Sequence, residues 1–194
     1  FVRDFFDSLF LAFHHVAFQV ASIITTTGFA TVDFNLWPTI PKTILVLLMF
    51  IGACAGSTGG GIKVSRVVLL FRSLTKELSQ SLHPNQVRKI HFEGRAVEHV
   101  VLRSVNVFIA AYILIFAISV LLIGIDNYDL VTNFTAVAAT LNNIGPGLEL
   151  VGPAQNFGLF SNFSKLVLTF DMLAGRLELF PLLLLFYRGT WKRF

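Results

Sequence analysis

The stretches ASIITTTGFATVDF (21–34) and AATLNNIGPGLELV (138–151) decide how this chain folds. Each holds a polar, glycine-containing turn that stops an apolar segment too short to cross a bilayer, 7–24 in the first case and 128–139 in the second. Each is followed by a short polar loop and then a longer apolar segment. Setting Gly28 against Gly145 aligns the copies at a separation of 117 residues and pairs Thr26 with Asn143 and Thr27 with Ile144. The pattern is helix, re-entrant turn, helix, used twice.

Working outward, 100–125 has the length and apolarity of a membrane-crossing helix, with Arg103 at one end and Asp126 just past the other. The segment 165–187 also reaches across but carries Asp171, Arg176, Glu178 and Pro181. A third stretch, 39–72, is too long for one ordinary span and is interrupted by GACAGSTGGG (52–61), which predicts two half-helices around a break. Non-helical backbone at membrane depth is tolerated only where protein buries it or it lines a water-filled cavity. The chain divides into a first unit over 1–72, with re-entrant helix 7–24, turn 25–29 and broken helix 39–72, and a connection over 73–99. A second unit covers 100–187, with re-entrant helix 128–139 and turn 140–147, followed by a tail over 188–194. The second unit includes a leading span that the first lacks, and the first residue is Phe, so the chain reads as part of a longer one.

Composition agrees. The 194 residues are 55% hydrophobic and 13% charged, with mean hydropathy +0.73 and 21 Phe. Ordinary globular chains carry roughly 25% charged residues, so soluble, disordered and nucleic-acid-binding classes are excluded, and the fold class is an all-α polytopic membrane protein. Eight basic residues (Lys63, Arg66, Arg72, Lys76, Arg88, Lys89, Arg95, Arg103) face three acids (Glu77, Glu93, Glu98) between 63 and 103, and the tail adds Arg188, Lys192 and Arg193. The other polar connections hold Lys42 and Lys165 against Asp33, Asp126, Asp129 and Glu149. The positive-inside rule puts 73–99 and 188–194 in the cytoplasm and the second set outside. The single cysteine, Cys54, permits no intrachain disulfide.

A short helix that stops at a polar turn presents its C-terminal carbonyls, about half a negative charge, to whatever lies beyond. Extended backbone after such an end can replace the hydration shell of a dehydrated cation with carbonyl oxygens. Gly28 and Gly145 then supply backbone conformations that a Cβ resists, while Thr25, Thr26, Thr27, Asn142 and Asn143 fix the turns by local hydrogen bonds. A surface turn between ordinary helices is the bland alternative. The run 56–63 has the flavour of a phosphate-binding loop but fails it, because Ile62 rather than Lys follows Gly61 and Val64 follows Lys63. In a membrane the run predicts a mobile plug or a close-packing site for a neighbouring helix. Arg176, near the middle of a span, is expected to face a cavity and to have a partner. Glu178, two residues on, points to another helix face, and Asp171 lies five residues back. The adjacent His14 and His15 cannot share a metal on a helix without other ligands, and no nucleophile and base arrangement supports an enzyme.

The segments FQVASIITTTGFATVDFNLWP (18–38), MFIGACAGSTGGGIKVSRV (49–67), AVAATLNNIGPGLELVGP (136–153) and GRLELFPLLLLF (175–186) closely resemble the potassium-translocating subunit of bacterial Trk systems, in the Trk/Ktr/HKT superfamily. The resemblance covers essentially the whole chain. It implies a pore of four helix, pore-loop, helix repeats, of which this chain supplies about one and three-quarters, the end of the third and all of the fourth. It implies potassium at the carbonyls of Thr26, Thr27, Asn143 and Ile144, supported by Thr25, Gly28, Asn142 and Gly145. An intramembrane gating loop falls on Gly52, Gly56, Ser57, Thr58, Gly59, Gly60 and Gly61, and the cavity arginine on Arg176. Such subunits are similar in forming homodimers in the bacterial inner membrane. They also dock on a cytosolic nucleotide-binding (NAD or ATP) regulatory ring of the TrkA type, here through 72–103 and 188–194. No organic cofactor is implied. Asp171 departs from the family pattern, which has an apolar or small polar residue there, and alters the charge balance expected of the lower cavity. A sodium-coupled or sodium-preferring transporter and a non-transporting scaffold are the alternatives.

Overall fold

A computed structural model describes residues 6, 8–52, 54, 56–57, 59–83, 90–92, 94–177, 181 and 184. Six helices carry the architecture: α1 Leu9–Ile24, α2 Thr39–Phe50, α3 Val64–Leu82, α4 His99–Ile123, α5 Leu130–Leu141 and α6 Asn162–Arg176. Short 3-10 turns at Phe34–Leu36 and Phe157–Leu159 lead into α2 and α6. Two pairs of two-residue strands add to the helices. The pair β1 Ile51–Gly52 and β2 Ile62–Lys63 is parallel, Ile51 facing Ile62, and closes the glycine-rich run into a loop. The pair β3 His91–Phe92 and β4 Arg95–Ala96 is an antiparallel hairpin.

The helix boundaries follow from local chemistry. Ser8 caps α1 by accepting from the Phe10 and Leu11 amides, and Ser161 caps α6 by accepting from Ser164. Asp129 caps α5 by accepting from the Thr132 amide at 3.0 Å and from its hydroxyl. Asn127, in the left-handed region at φ 57°, ends the turn that follows α4. At 25 residues α4 is about 37 Å long and apolar enough to cross a membrane. Short helices α1 and α5 occupy the two short apolar segments, α5 ending two residues later than the sequence predicts, so Thr140 and Leu141 belong to helix rather than turn. The stretch 39–72 holds two helices, α2 and α3, and α3 continues to Leu82 instead of stopping at 72. The apolar residues Leu70, Leu74 and Leu78 recur along it at helical spacing among charged ones, which favours continuing the helix. Apart from Leu177, Pro181 and Leu184, the second half of the 165–187 span, with Glu178, lies outside the described residues, as do Thr58 in the loop and the tail.

α5 is the centre. Residues Thr132, Asn133 and Thr135 to Leu141 are all buried, and α4, α6 and α2 pack around them. One cluster joins the two units by packing Ile23, Phe34, Trp37, Leu45 and Met49 of the first against Ala138, Ile144 and Leu148 of the second. A second sets Ile123, Ala136, Val137, Val151, Phe160 and Leu168 together. Burying a side chain such as Phe34 is worth roughly 1.5–3 kcal/mol, so the unit-to-unit cluster is a substantial share of what keeps the two turns side by side.

The Thr132 hydroxyl, reinforced by backbone amides at the helix start, holds the Asp129 carboxyl below the usual carboxylate range. A group whose folded pKa is lowered stabilises above its unfolded pKa and loses that contribution as pH falls through the folded value. Asp129→Ala is expected to cost about 1 kcal/mol, read as a lower melting temperature of the detergent-solubilised protein at neutral pH, with the gap to the parent closing in acid.

Candidate functional site

The two polar turns close their helices in the same way, bond for bond. Thr25 N–H donates to the Ala21 carbonyl at 2.9 Å, Thr26 to Ile23 at 3.1 Å and Thr27 to Ser22 at 2.9 Å. At 117 residues further on, Asn142 donates to Ala138 at 3.2 Å, Asn143 to Thr140 at 3.0 Å and Ile144 to Ala139 at 2.8 Å. This is the Schellman closure, whose pivot residue sits in the left-handed region and is usually glycine. Here the pivots are Thr26 at φ 54° and Asn143 at φ 55°. A β-branched threonine in that region carries strain on the order of 1–3 kcal/mol, which the surrounding packing must hold. Side chains repeat the backbone pattern: the Thr25 hydroxyl donates to the Ala21 carbonyl at 2.7 Å and the Asn142 amide donates to Ala138 at 2.7 Å.

Beyond the pivots the turns touch. A Cβ built on Gly28 meets the Ile144 carbonyl oxygen at 2.1 Å, and Gly28 is itself at φ +78°. Gly145, at φ +115°, has nothing nearer its Cβ position than the Gly28 Cα at 3.9 Å. Thr26, Thr27, Asn143, Ile144 and Gly145 line one cavity of about 630 Å³ together with Lys165, Thr169 and Met172 of α6. Among the described residues no donor meets the carbonyls of Thr26, Thr27, Asn143 or Ile144. The structure therefore brings the four expected ligand residues to one place, with their carbonyls unspent.

The glycine-rich loop lies beneath the second turn. A Cβ on Gly60 would sit 2.2 Å from the Asn142 carbonyl oxygen, and one on Gly61 3.0 Å from the Asn142 side-chain oxygen. That same side-chain oxygen accepts from the Tyr112 hydroxyl of α4 at 2.8 Å, and Asn142 is 0% exposed. From the other side, Gly175 of α6 has the Leu141 carbonyl oxygen 1.8 Å from its Cβ position, and the Asn143 amide donates to the Met172 carbonyl at 3.1 Å. Ser57, Gly59 and Gly61 share a second cavity of about 150 Å³ with Lys63, Arg66 and Arg176. Lys63, 8% exposed, donates to the Ser57 and Gly59 carbonyls at 2.6 Å each, and the Arg66 guanidinium stacks 4.0 Å over the Phe108 ring. Gly52 packs against the Gly60 carbonyl, while Gly56 has open space around it.

Asp171 corrects one expectation. It does not line the cavity of Arg176; it is 0% exposed between α4 and α6, and Ser119 donates to it at 2.7 Å. The side chain therefore ties two helices together rather than shifting the charge of the lower cavity. Sequence reading missed Tyr112, Lys63 and Gly175 as parts of this region. Tyr112 and Gly175 act across contacts distant in sequence, whereas Lys63 acts on carbonyls of its own loop.

Comparison with known proteins follows from this geometry. The family described as TrkH, cation transport protein, matches residues 9–190. The Trk system potassium uptake protein TrkH of Salmonella typhimurium is 42% identical over 190 residues, 98% of this chain and 39% of the relative. The Trk system potassium uptake protein TrkG of Escherichia coli (strain K12) is 36% identical over 181 residues, 93% of this chain and 37% of the relative. The crystal structure of the potassium transporter TrkH from Vibrio parahaemolyticus superposes with a TM-score of 0.87 at 43% identity, over 96% of this chain and 40% of that one. The chain thus spans about two fifths of the length of these relatives.

Gly175→Ala forces a methyl into the Leu141 carbonyl and must move α6 or the second turn. It is expected to lower the melting temperature of the purified protein and to expose Asn142 and Asn143 to faster amide hydrogen exchange. Gly56→Ala, with open space but φ +81°, is expected to leave exchange at Asn142 unchanged.

Proposed function

The chain belongs to the TrkH family of cation transport proteins, and from that premise we propose that it supplies two of the four filter segments of a potassium uptake pathway across the bacterial inner membrane. The observation that carries this reading is the doubled Schellman closure, which sets Thr26, Thr27, Asn143 and Ile144 on a common cavity at the negative ends of α1 and α5. A dehydrated cation needs a ring of carbonyl oxygens. Thr26, Thr27, Asn143 and Ile144 furnish part of that ring, so conduction belongs to the complete subunit. Thr25, Gly28, Asn142 and Gly145 hold the turns in shape.

Below the filter, the loop from Gly52 to Gly61 and Arg176 act as the gate. A cation leaving the filter meets the cavity of Lys63, Arg66 and Arg176. One unit charge at about 6 Å in an effective dielectric near 20 opposes it by about 3 kcal/mol. Opening requires the loop to leave its seat under Asn142, and its open space at Gly56 supplies slack for that movement. Regulation fits the same picture: the basic face of 72–103 meets a cytosolic nucleotide-binding ring, and two copies of the subunit assemble in the membrane. The hairpin β3–β4 is joined to α3 there, since Arg72 donates to the His91 carbonyl and its guanidinium lies 5.8 Å from the Phe92 ring.

The test is potassium uptake by the full-length protein in cells that lack it, with sodium flux measured beside it. The parent restores growth at low potassium. Gly28→Ser is expected to cut preference for potassium over sodium more severely than Gly145→Ser, because only the first adds a clash to backbone strain. Unchanged preference in both variants removes the filter assignment, and sodium preference in the parent supports the sodium-transporting alternative. Arg176→Ala and Lys63→Met are each expected to raise leak in proteoliposomes several-fold; tight vesicles with both would sink the gate.

A further inference from the structure

The two units diverge at one place, and that place joins them. The match at 117 residues holds through the turns, but the 3-10 turn Phe34–Leu36 corresponds to Phe157–Leu159, which is 123 residues on. The second copy has therefore gained six residues, and within the lengthened loop stands a further 3-10 turn, Glu149–Val151. Asn35, in the first unit's turn, grips it. The Asn35 side-chain oxygen accepts from the Glu149 N–H at 2.9 Å, and its amide donates to the Glu149 carbonyl at 3.2 Å. Both bonds go to the backbone donor and acceptor of one residue across 114 residues of sequence, the pairing a neighbouring strand would make. Glu149 is held in the left-handed region at φ 52°. Lys42 of α2 closes the arrangement by donating to the Asn35 carbonyl at 3.4 Å and approaching the Glu149 carboxylate at 3.7 Å.

The gripped turn is rigidly connected to the second filter segment. Leu148 and Leu150 donate to the Thr135 and Thr132 hydroxyls of α5, at 3.0 and 3.4 Å, and Gly147 donates to the Val151 carbonyl at 2.7 Å. The residues between Gly145 and Leu148 are thus tied at one end to the filter turn and at the other to the Asn35 contact. In the second unit, the position equivalent to Asn35 in the Phe-x-Leu turn is Gly158, which has no side chain to reach with. The grip is a property of this one junction, not of the repeat.

We propose that Asn35 is a specificity-determining positioning residue. By clamping the Glu149 backbone it fixes the spacing of the two filter turns at their outer end, and so sets how strictly the pathway prefers potassium over the smaller sodium ion. This rests on the filter reading above. Carbonyls preorganised by a stiff frame discriminate between ions that differ only in radius, and a frame that relaxes lets the ring close on the smaller one. The clamp reads backbone, so the Glu149 carboxylate contributes little to it.

The experiment uses the full-length protein in proteoliposomes, with potassium and sodium fluxes measured separately. Asn35→Leu, which removes both bonds, is expected to lower the potassium-to-sodium flux ratio about tenfold while maximal potassium flux changes far less. Asn35→Asp keeps an acceptor for the Glu149 N–H and is expected to fall between Asn35→Leu and the parent, and it serves if the leucine variant does not fold. Glu149→Gln and Asn156→Ala are expected to keep the parent ratio. The first spares the backbone grip, and the second removes the equivalent turn cap, 2.8 Å from the Gly158 amide, without touching the junction. A parent-like ratio in a folded Asn35 variant overturns the proposal, and so does an equal loss in Asn156→Ala, which would show general loosening of the loops. Gly28→Ser separates the two readings: if it alters the ratio while Asn35→Leu does not, the filter stands and the clamp falls.

Discussion

Everything in this molecule turns on the end of α5, where three stretches of backbone come closer to one another than a side chain permits. The glycine-rich loop reaches the Asn142 carbonyl at Gly60, α6 reaches the Leu141 carbonyl at Gly175, and the first turn reaches the Ile144 carbonyl at Gly28. Polar backbone in an apolar surround costs several kcal/mol per unmet group, so such a junction survives only if protein closes over it. The closure is dense. The Asn142 side chain is 0% exposed, its oxygen accepting from Tyr112 of α4 and its amide donating to the Ala138 carbonyl of its own helix.

Two consequences follow for the proposed pathway. The proposed filter turns and the proposed gate are one mechanical assembly, because Asn142 is both the C-cap of α5 and the seat of the loop. The Asn143 amide bonded to the Met172 carbonyl gives α6, which carries Arg176 one turn further on, a direct hold on the second turn. Movement of α6 is therefore felt at the filter through a hydrogen bond rather than through a chain of packed side chains. The positive charge is also placed with purpose. Lys63 spends two short hydrogen bonds on the loop's own carbonyls, so the group proposed to repel a passing cation also fastens the loop.

Much of this was legible in the residues. The 117-residue repeat, the two short helices and the broken helix at 52–61 follow from apolar run length and glycine placement, which are local properties. The equivalence of Thr26 with Asn143 was readable as well, although nothing in the residue types announced that both pivots would sit at positive φ. The six-residue insertion was harder to see. Its length is lost if the repeat is aligned on the turns alone, and the Asn35 to Glu149 pairing depends on where that insertion lands. The cavity charge balance at Asp171 was raised by the family resemblance, whereas in the structure its carboxylate accepts from Ser119.

The sequence by itself determined that the chain is apolar and helical, with two short helices that each stop at a polar, glycine-containing turn, because hydrophobic length and the sorting of charge are sums over neighbours. It also marked Gly28 and Gly145 as backbone positions that need glycine. Only the tertiary structure decided which carbonyls those glycines approach, which cations share a cavity with the loop, and how the units are fastened at their outer end. These depend largely on contacts between residues separated by 30 to 116 positions, and no periodicity along the chain records the partner of a close approach.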